Sequence, residues 1–125
     1  MKKIINTSKA PAPIGPYSQA VLINDTLYIS GQVAFEPSTG NLVTINIIKE
    51  TNQVMNNILN ILKEADMDFS NVVKTNIYLM NMDNFATVNE VYATYFKENF
   101  PARETVQVSR LPKDVNVEIS MIAVK

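Results

Sequence analysis

Two charged residues near the C-terminal end of the chain are of types that could do chemistry. They are Arg103, in Pro101-Ala102-Arg103, and Glu118, in Val115-Asn116-Val117-Glu118-Ile119. The chain contains no histidine and no cysteine. It can therefore build no Ser-His-Asp or Cys-His arrangement, and no zinc site from those ligands. No Asp-rich loop has the spacing to hold magnesium or calcium. Asp, Glu, Lys, Tyr, Ser, Thr and bound water are left for acid–base work. Arginine's planar fork can grip a carboxylate bidentately, as lysine's point charge cannot, and a glutamate can hold a water. The pair thus suits recognition of a small carboxylate and its attack by water. A cross-strand salt bridge or a solvated polar face is the commoner fate of such charges, and spacing alone favours it.

The elements that must position this pair are legible as alternation. Arg103 to Arg110 and Val115 to Val124 read as strands, joined by Leu111-Pro112-Lys113-Asp114. A tight connection there pairs them antiparallel, with Arg103, Thr105, Gln107 and Ser109 on one face beside Asn116, Glu118 and Ser120. Glu118 then lies opposite Gln107 or Thr105. Arg103 sits one or two side-chain steps along, at ~7 Å per step.

Upstream, Ser-Lys-Ala-Pro-Ala-Pro-Ile-Gly-Pro over residues 8–16 resists regular structure, since its prolines remove donors and restrict their predecessors. Tyr17 to Ile23 and Leu27 to Val33 read as a hairpin about Asn24-Asp25, and Pro37-Ser38-Thr39-Gly40 as a turn. A helical period runs from Asn46 to Ala65 through Ile48, Met55, Ile58, Leu62 and Ala65. Val72 to Met80 alternates as a strand. Asp83 is the expected N-cap of a second helix with the stripe Phe85, Val88, Tyr92, Tyr95 and Phe96, closed by Pro101. A short strand near Ile4 would complete the set. This order predicts a two-layer α+β fold, with a mostly antiparallel sheet and two helices on one face. Tyr78 and Met80 stand opposite Ile77 and Leu79, so both sheet faces are bulky, which predicts a homo-oligomer covering the second face.

Other residues near strand ends have two readings each. Gly31, in Ser30-Gly31-Gln32, either admits a close approach to a ligand or marks a bulge. Tyr17 either walls a pocket or packs. Asn89 is a solvated helix residue unless the fold brings a site beside it.

The 125 residues fit a single domain, 1–125. With 46% hydrophobic and 18% charged residues the composition is globular. Eleven basic against twelve acidic residues, and no basic run beyond Lys2-Lys3, give no support for nucleic-acid binding. No apolar run approaches the ~20 residues of a membrane span, and the N-terminus lacks signal-peptide features. A cytoplasmic location is the expectation for a chain without cysteines.

Taken in order, seven segments resemble the RidA (YjgF) family of reactive-intermediate deaminases. They are Ala12-Pro13-Ile14-Gly15-Pro16-Tyr17-Ser18-Gln19-Ala20, Ser30-Gly31-Gln32, Pro37-Ser38-Thr39-Gly40, Val73-Lys74-Thr75, Phe85-Ala86-Thr87-Val88-Asn89, Pro101-Ala102-Arg103, and the run from Arg110-Leu111-Pro112-Lys113-Asp114 to Val117-Glu118-Ile119. The resemblance implies a chorismate-mutase-like homotrimer, with sheets forming a central barrel, helices outside and three pockets between subunits. It implies hydrolysis of 2-iminopropanoate and 2-iminobutanoate to 2-oxo acids and ammonia, without a cofactor. Arg103 would bind the substrate carboxylate and Glu118 a water. Tyr17, Ser30, Gly31 and Asn89 match pocket-lining positions, with Gly31 and Thr105 acting mainly through the backbone. Many relatives have cysteine where this chain has Thr105, and a helix-ending glycine where it has Asp66. A non-catalytic binder of small carboxylates would need the same arginine but not Glu118.

Overall fold

The computed structural model describes residues 1–125. Its strands are β1 (Lys2–Ile5), β2 (Ala20–Ile23), β3 (Thr26–Gln32), β4 (Val72–Leu79), β5 (Ala102–Gln107) and β6 (Val117–Val124). The helices are α1 (Ile47–Glu64) and α2 (Phe85–Ala93). The strands form one sheet in the order β1-β2-β3-β6-β4-β5, antiparallel throughout except between β4 and β5. The α+β expectation holds, and the sheet is mixed rather than purely antiparallel.

Local chemistry accounts for the element ends. Asn24 takes φ 50 in the two-residue loop joining β2 to β3, a left-handed conformation that Asn tolerates. Asn46 caps α1, its side-chain oxygen accepting the Lys49 N–H at 2.9 Å. At the other end Asp66 adopts φ 57, with its N–H donated to the Lys63 carbonyl and the Met67 N–H to the Leu62 carbonyl. That is the Schellman arrangement, with aspartate in the place glycine commonly fills. The expected cap at Asp83 is not the one used. Asn81 accepts the Asp83 N–H at 2.9 Å and opens a short 3-10 turn leading into α2. α2 stops at Ala93, so Tyr95 and Phe96 pack from the loop beyond it. Ile48, expected in the buried stripe of α1, is exposed, whereas Met55, Ile58 and Leu62 are sealed.

Both helices pack on the same side of the sheet. Register partners project to one face, so Ile5, Ala20, Ile29, Met121 and Thr75 form a row running across β1, β2, β3, β6 and β4. All five are buried, and Arg103 on β5 ends the row beside Thr75. The opposite face is different. Ile4, Val21, Tyr28 and Ile122 form a row there, with Ile4 50% and Tyr28 49% exposed, and Val106 on β5 is 43% exposed. This face is uncovered within the chain and carries these large apolar side chains beside Lys74, Asn76 and Glu104.

The proline-rich segment is pinned by one side chain. Gln19, 2% exposed, accepts the Thr7 N–H at 2.8 Å and shares its amide hydrogens among the carbonyls of Thr7, Ala10 and Pro11. Replacing it with leucine leaves these buried groups without partners, each worth roughly 1–3 kcal/mol. Gln19→Leu is therefore expected to lower the unfolding free energy by about 2–4 kcal/mol. Urea titration should show this as a lower midpoint at unchanged slope.

Candidate functional site

The two residues singled out from the sequence do not meet within one chain. β5 and β6 are not neighbours, because β4 lies between them. Glu118 stands opposite Tyr78, which in turn faces Val106, so it is not paired with Gln107 or Thr105. Arg103 faces Thr75, on the helix-covered side. Glu118 projects to the other side, since its neighbours Val117 and Ile119 are sealed against the helices. The expectation of one shared face is thus overturned. The segment after β5 does not turn back in a hairpin but crosses the end of β4, with the Val108 N–H bonded to the Leu79 carbonyl at 2.9 Å. The strand that follows can then enter between β3 and β4.

Each residue has its own cleft. Glu118 lies in one of about 220 Å³ with Tyr17, Gly31, Ile14, Phe35 and Lys113. A bulge builds it: Ile29 pairs with Met121 and Gln32 with Ile119, so Ser30 and Gly31 together stand against Ser120 alone. Of the two readings of Gly31, the bulge is the one seen. It sits in the bulge, and the Glu118 carboxylate occupies the space a side chain would fill. A Cβ on residue 31 would collide with Glu118 Oε2 and come within 2.8 Å of its Cδ. Ser30 does not line the cleft. Its hydroxyl donates to the Ser18 carbonyl at 2.6 Å and so ties down the loop that carries Tyr17. Tyr17 belongs to that loop rather than to β2, and its ring is half-exposed over the cleft. Burial pushes the Glu118 carboxyl above the usual carboxylate range.

Gly31→Ala separates stability from site geometry. The atoms it meets are the free end of a flexible side chain, so Glu118 can swing aside at little cost to the fold. Thermal unfolding should change by only a few degrees, roughly 1 kcal/mol or less. Any function of Glu118 in this cleft should fall about tenfold or more, as a displaced catalytic group does.

The second cleft holds Arg103, Asn89, Tyr92 and Phe100. Arg103 donates from one guanidinium nitrogen to Asn89 Oδ1 at 2.7 Å, and its charge lies over the rings of Tyr92 at 5.1 Å and Phe85 at 5.7 Å. Tyr92 donates its hydroxyl to Thr75 Oγ1 at 2.9 Å. Burial pushes that phenol up, with the Thr75 hydrogen bond and the nearby arginine partly opposing it. It therefore stays neutral and fixed. Thr105, two residues past Arg103 on the same face, lines neither cleft, and its buried hydroxyl has no hydrogen-bond partner. Arg110 is committed elsewhere, to an exposed pair with Asp114 at 2.8 Å. No group of three or more carboxylates is placed to hold a metal ion, and no helix is long and apolar enough to cross a membrane. Sequence reasoning missed Phe85 and Tyr92 as the arginine's aromatic clamp. Both belong to the apolar stripe expected of the second helix, and Asn89 on that same helix, four residues after Phe85, was the available signal.

Fold and clefts together define a small two-layer α+β protein that presents a carboxylate in one cleft and an aromatically clamped arginine in another. Residues 7–125 match the family described as Endoribonuclease L-PSP, and the chain belongs to that family, the RidA (YjgF) family its segments resemble. A mouse protein named 2-iminobutanoate/2-iminopropanoate deaminase is 52% identical over 125 residues, which are 100% of this chain and 93% of the relative. A Yersinia pestis structure titled as the Rid-family protein YyfA, of unknown function, superposes with a TM-score of 0.98 at 48% identity, covering 100% of both chains. An Escherichia coli structure titled TdcF with bound serine superposes with a TM-score of 0.95 at 36% identity, covering 98% of each chain.

Proposed function

We propose that this protein, a single domain over residues 1–125, hydrolyses 2-iminobutanoate and 2-iminopropanoate to 2-oxo acids and ammonia, in sites completed between copies of a cytoplasmic homotrimer. The observation that carries this reading is the placement of Arg103 and Glu118 on opposite faces of one sheet. A small ligand touching both needs two chains, and the exposed apolar side chains of Ile4, Tyr28 and Val106 on the uncovered face offer a surface on which copies can assemble. The names of the curated relatives at about half identity point to the same substrates. A related structure that holds serine supports a site for small molecules bearing a carboxylate.

In this reading Arg103 of one copy grips the substrate carboxylate, with main-chain donors at Gly31 and Thr105 assisting and Tyr17, Ser30 and Asn89 shaping the pocket. Glu118 of the next copy holds a water and takes a proton from it as the oxygen bonds to the imine carbon. The nitrogen is protonated, the carbon–nitrogen bond breaks, and ammonia leaves as the carbonyl forms. Water supplies the oxygen and the reaction is redox-neutral. Because the imine already reacts with water, positioning does much of the work.

The test couples threonine dehydratase and threonine to an imine-trapping amine, with and without this protein. Faster ketoacid formation is expected, and equal rates would sink the deaminase reading. Light scattering should give about three times 14.0 kDa, whereas a particle of one chain's mass would rule out a site between copies. The second reading, a non-catalytic binder of small carboxylates, draws on the related structure with serine. It predicts calorimetric binding of 2-oxobutanoate with no turnover. RNA cleavage, which the family description names, finds no basic surface here to support it, at a pI of about 5.4.

A further inference from the structure

A carboxylate that the proposed reaction does not use lies beneath the start of β6. Glu50, in the first turn of α1, is fully buried, and neither of the chain's two ion pairs includes it. Its Oε2 accepts the N–H of Asn116 at 2.7 Å and of Val117 at 3.2 Å, while Oε1 accepts from the Asn116 side-chain amide at 2.8 Å. Three donors and the positive end of α1 offset the loss of water around the carboxylate. An unpartnered glutamate is almost never sealed in a core, so this one is held by the chain it binds.

The two anchored amides stand one and two residues before Glu118. Just past Glu118, Ile119 has a strand partner on each side, Gln32 on β3 and Ile77 on β4. At Gln32 β3 ends, so Val117 keeps a strand partner only in β4, at Leu79. Immediately upstream the chain leaves a turn in which Lys113 and Asp114 both take positive φ. We propose that Glu50 is a positioning residue for Glu118. Its carboxylate replaces the missing strand, and so sets where β6 begins and how far Glu118 reaches into the cleft with Gly31 and Tyr17. This rests on Glu118 being the water-holding group.

The role calls for an acceptor, not a charge. A glutamine at position 50 keeps one oxygen for the two backbone amides, and the Asn116 amide can turn to accept from its nitrogen. Glu50→Gln and Glu50→Ala therefore lose the same charge, but only the second loses the anchor. In the coupled assay on the full-length protein, Glu50→Ala is expected to lower kcat about tenfold or more at a KM within a factor of two. Glu50→Gln should recover most of that loss. Should Glu50→Ala not fold, Glu50→Asp, which draws the acceptor back by one carbon, takes its place with the same expectation. An unchanged kcat in the variant lacking the anchor overturns the proposal, as does a Glu50→Gln enzyme equally impaired. Carbon-13 NMR titration of the Glu118 carboxyl judges it without turnover. The midpoint should differ between Glu50→Ala and Glu50→Gln, and coincident titrations overturn it. If the wild type shows no turnover, the deaminase reading falls and that titration alone decides the positioning role.

Discussion

Arg103→Lys is expected to lower kcat/KM for a 2-imino acid by about 10–100-fold, most of it in KM, with Arg103→Ala at least as damaging. A charge-assisted hydrogen bond contributes about 1.5–3 kcal/mol, and tenfold corresponds to about 1.4 kcal/mol. Lysine keeps the positive charge but not the arrangement. Arg103 commits one guanidinium nitrogen to Asn89 at 2.7 Å and lies over two aromatic rings, leaving its other edge for a ligand. An ammonium cannot stack in that clamp and present a planar fork at the same time. The fold should tolerate the change, because Arg103 ends its row at an edge strand. The coupled assay gives the kinetic loss, and circular dichroism checks the fold. A lysine variant with wild-type KM would remove Arg103 from carboxylate recognition.

Glu118→Gln is expected to cost about 10²–10⁴-fold in kcat, the usual worth of a positioned proton-transfer group, while KM moves little. Its effect on stability runs the opposite way. Burial raises the folded-state pKa of Glu118 above its ordinary value of 4.5, so the folded chain holds this proton more tightly than the unfolded one. Stability is then lost as pH rises from the ordinary glutamate range through the raised folded pKa. Glutamine cannot ionise and avoids that loss. The variant should therefore match the wild type in acid, where both side chains are neutral, and be the more stable at neutral pH. Thermal melts of both proteins from pH 4 to 8 measure this, and melting curves that stay parallel would show that Glu118 is not penalised by burial. The same ionisation should set the acid limb of activity, with turnover rising through a midpoint above 4.5. If a neighbouring copy's Arg103 faces Glu118, Arg103→Ala should push that midpoint higher still.

Much of this was legible along the chain because the relevant signals are local. The Asn24-Asp25 hairpin, the long first helix, the alternation of β4 and β6, and Glu118 facing away from the core all follow from period and turn chemistry. The errors in strand placement share one physical cause. Alternation says which side of its own strand a residue takes, but not which strand lies alongside. Leu111 to Asp114 reads as a hairpin connection, whereas residues 108–116 carry the chain past β4. The sign of the β5 face was also not local. Thr105 and Arg103 turn toward the helices while Val106 faces outward, because β5 pairs in parallel with Ile77 and Tyr78.

By itself, then, the sequence determined the family, the α+β composition of the fold and the two residues on which the proposed function rests. It also determined that any chemistry must proceed without a thiol or an imidazole. Only the tertiary structure decided that Arg103 and Glu118 lie on opposite faces of one sheet, in separate clefts. Strand order is settled by burial summed over the whole sheet, and no pair of neighbouring residues encodes it.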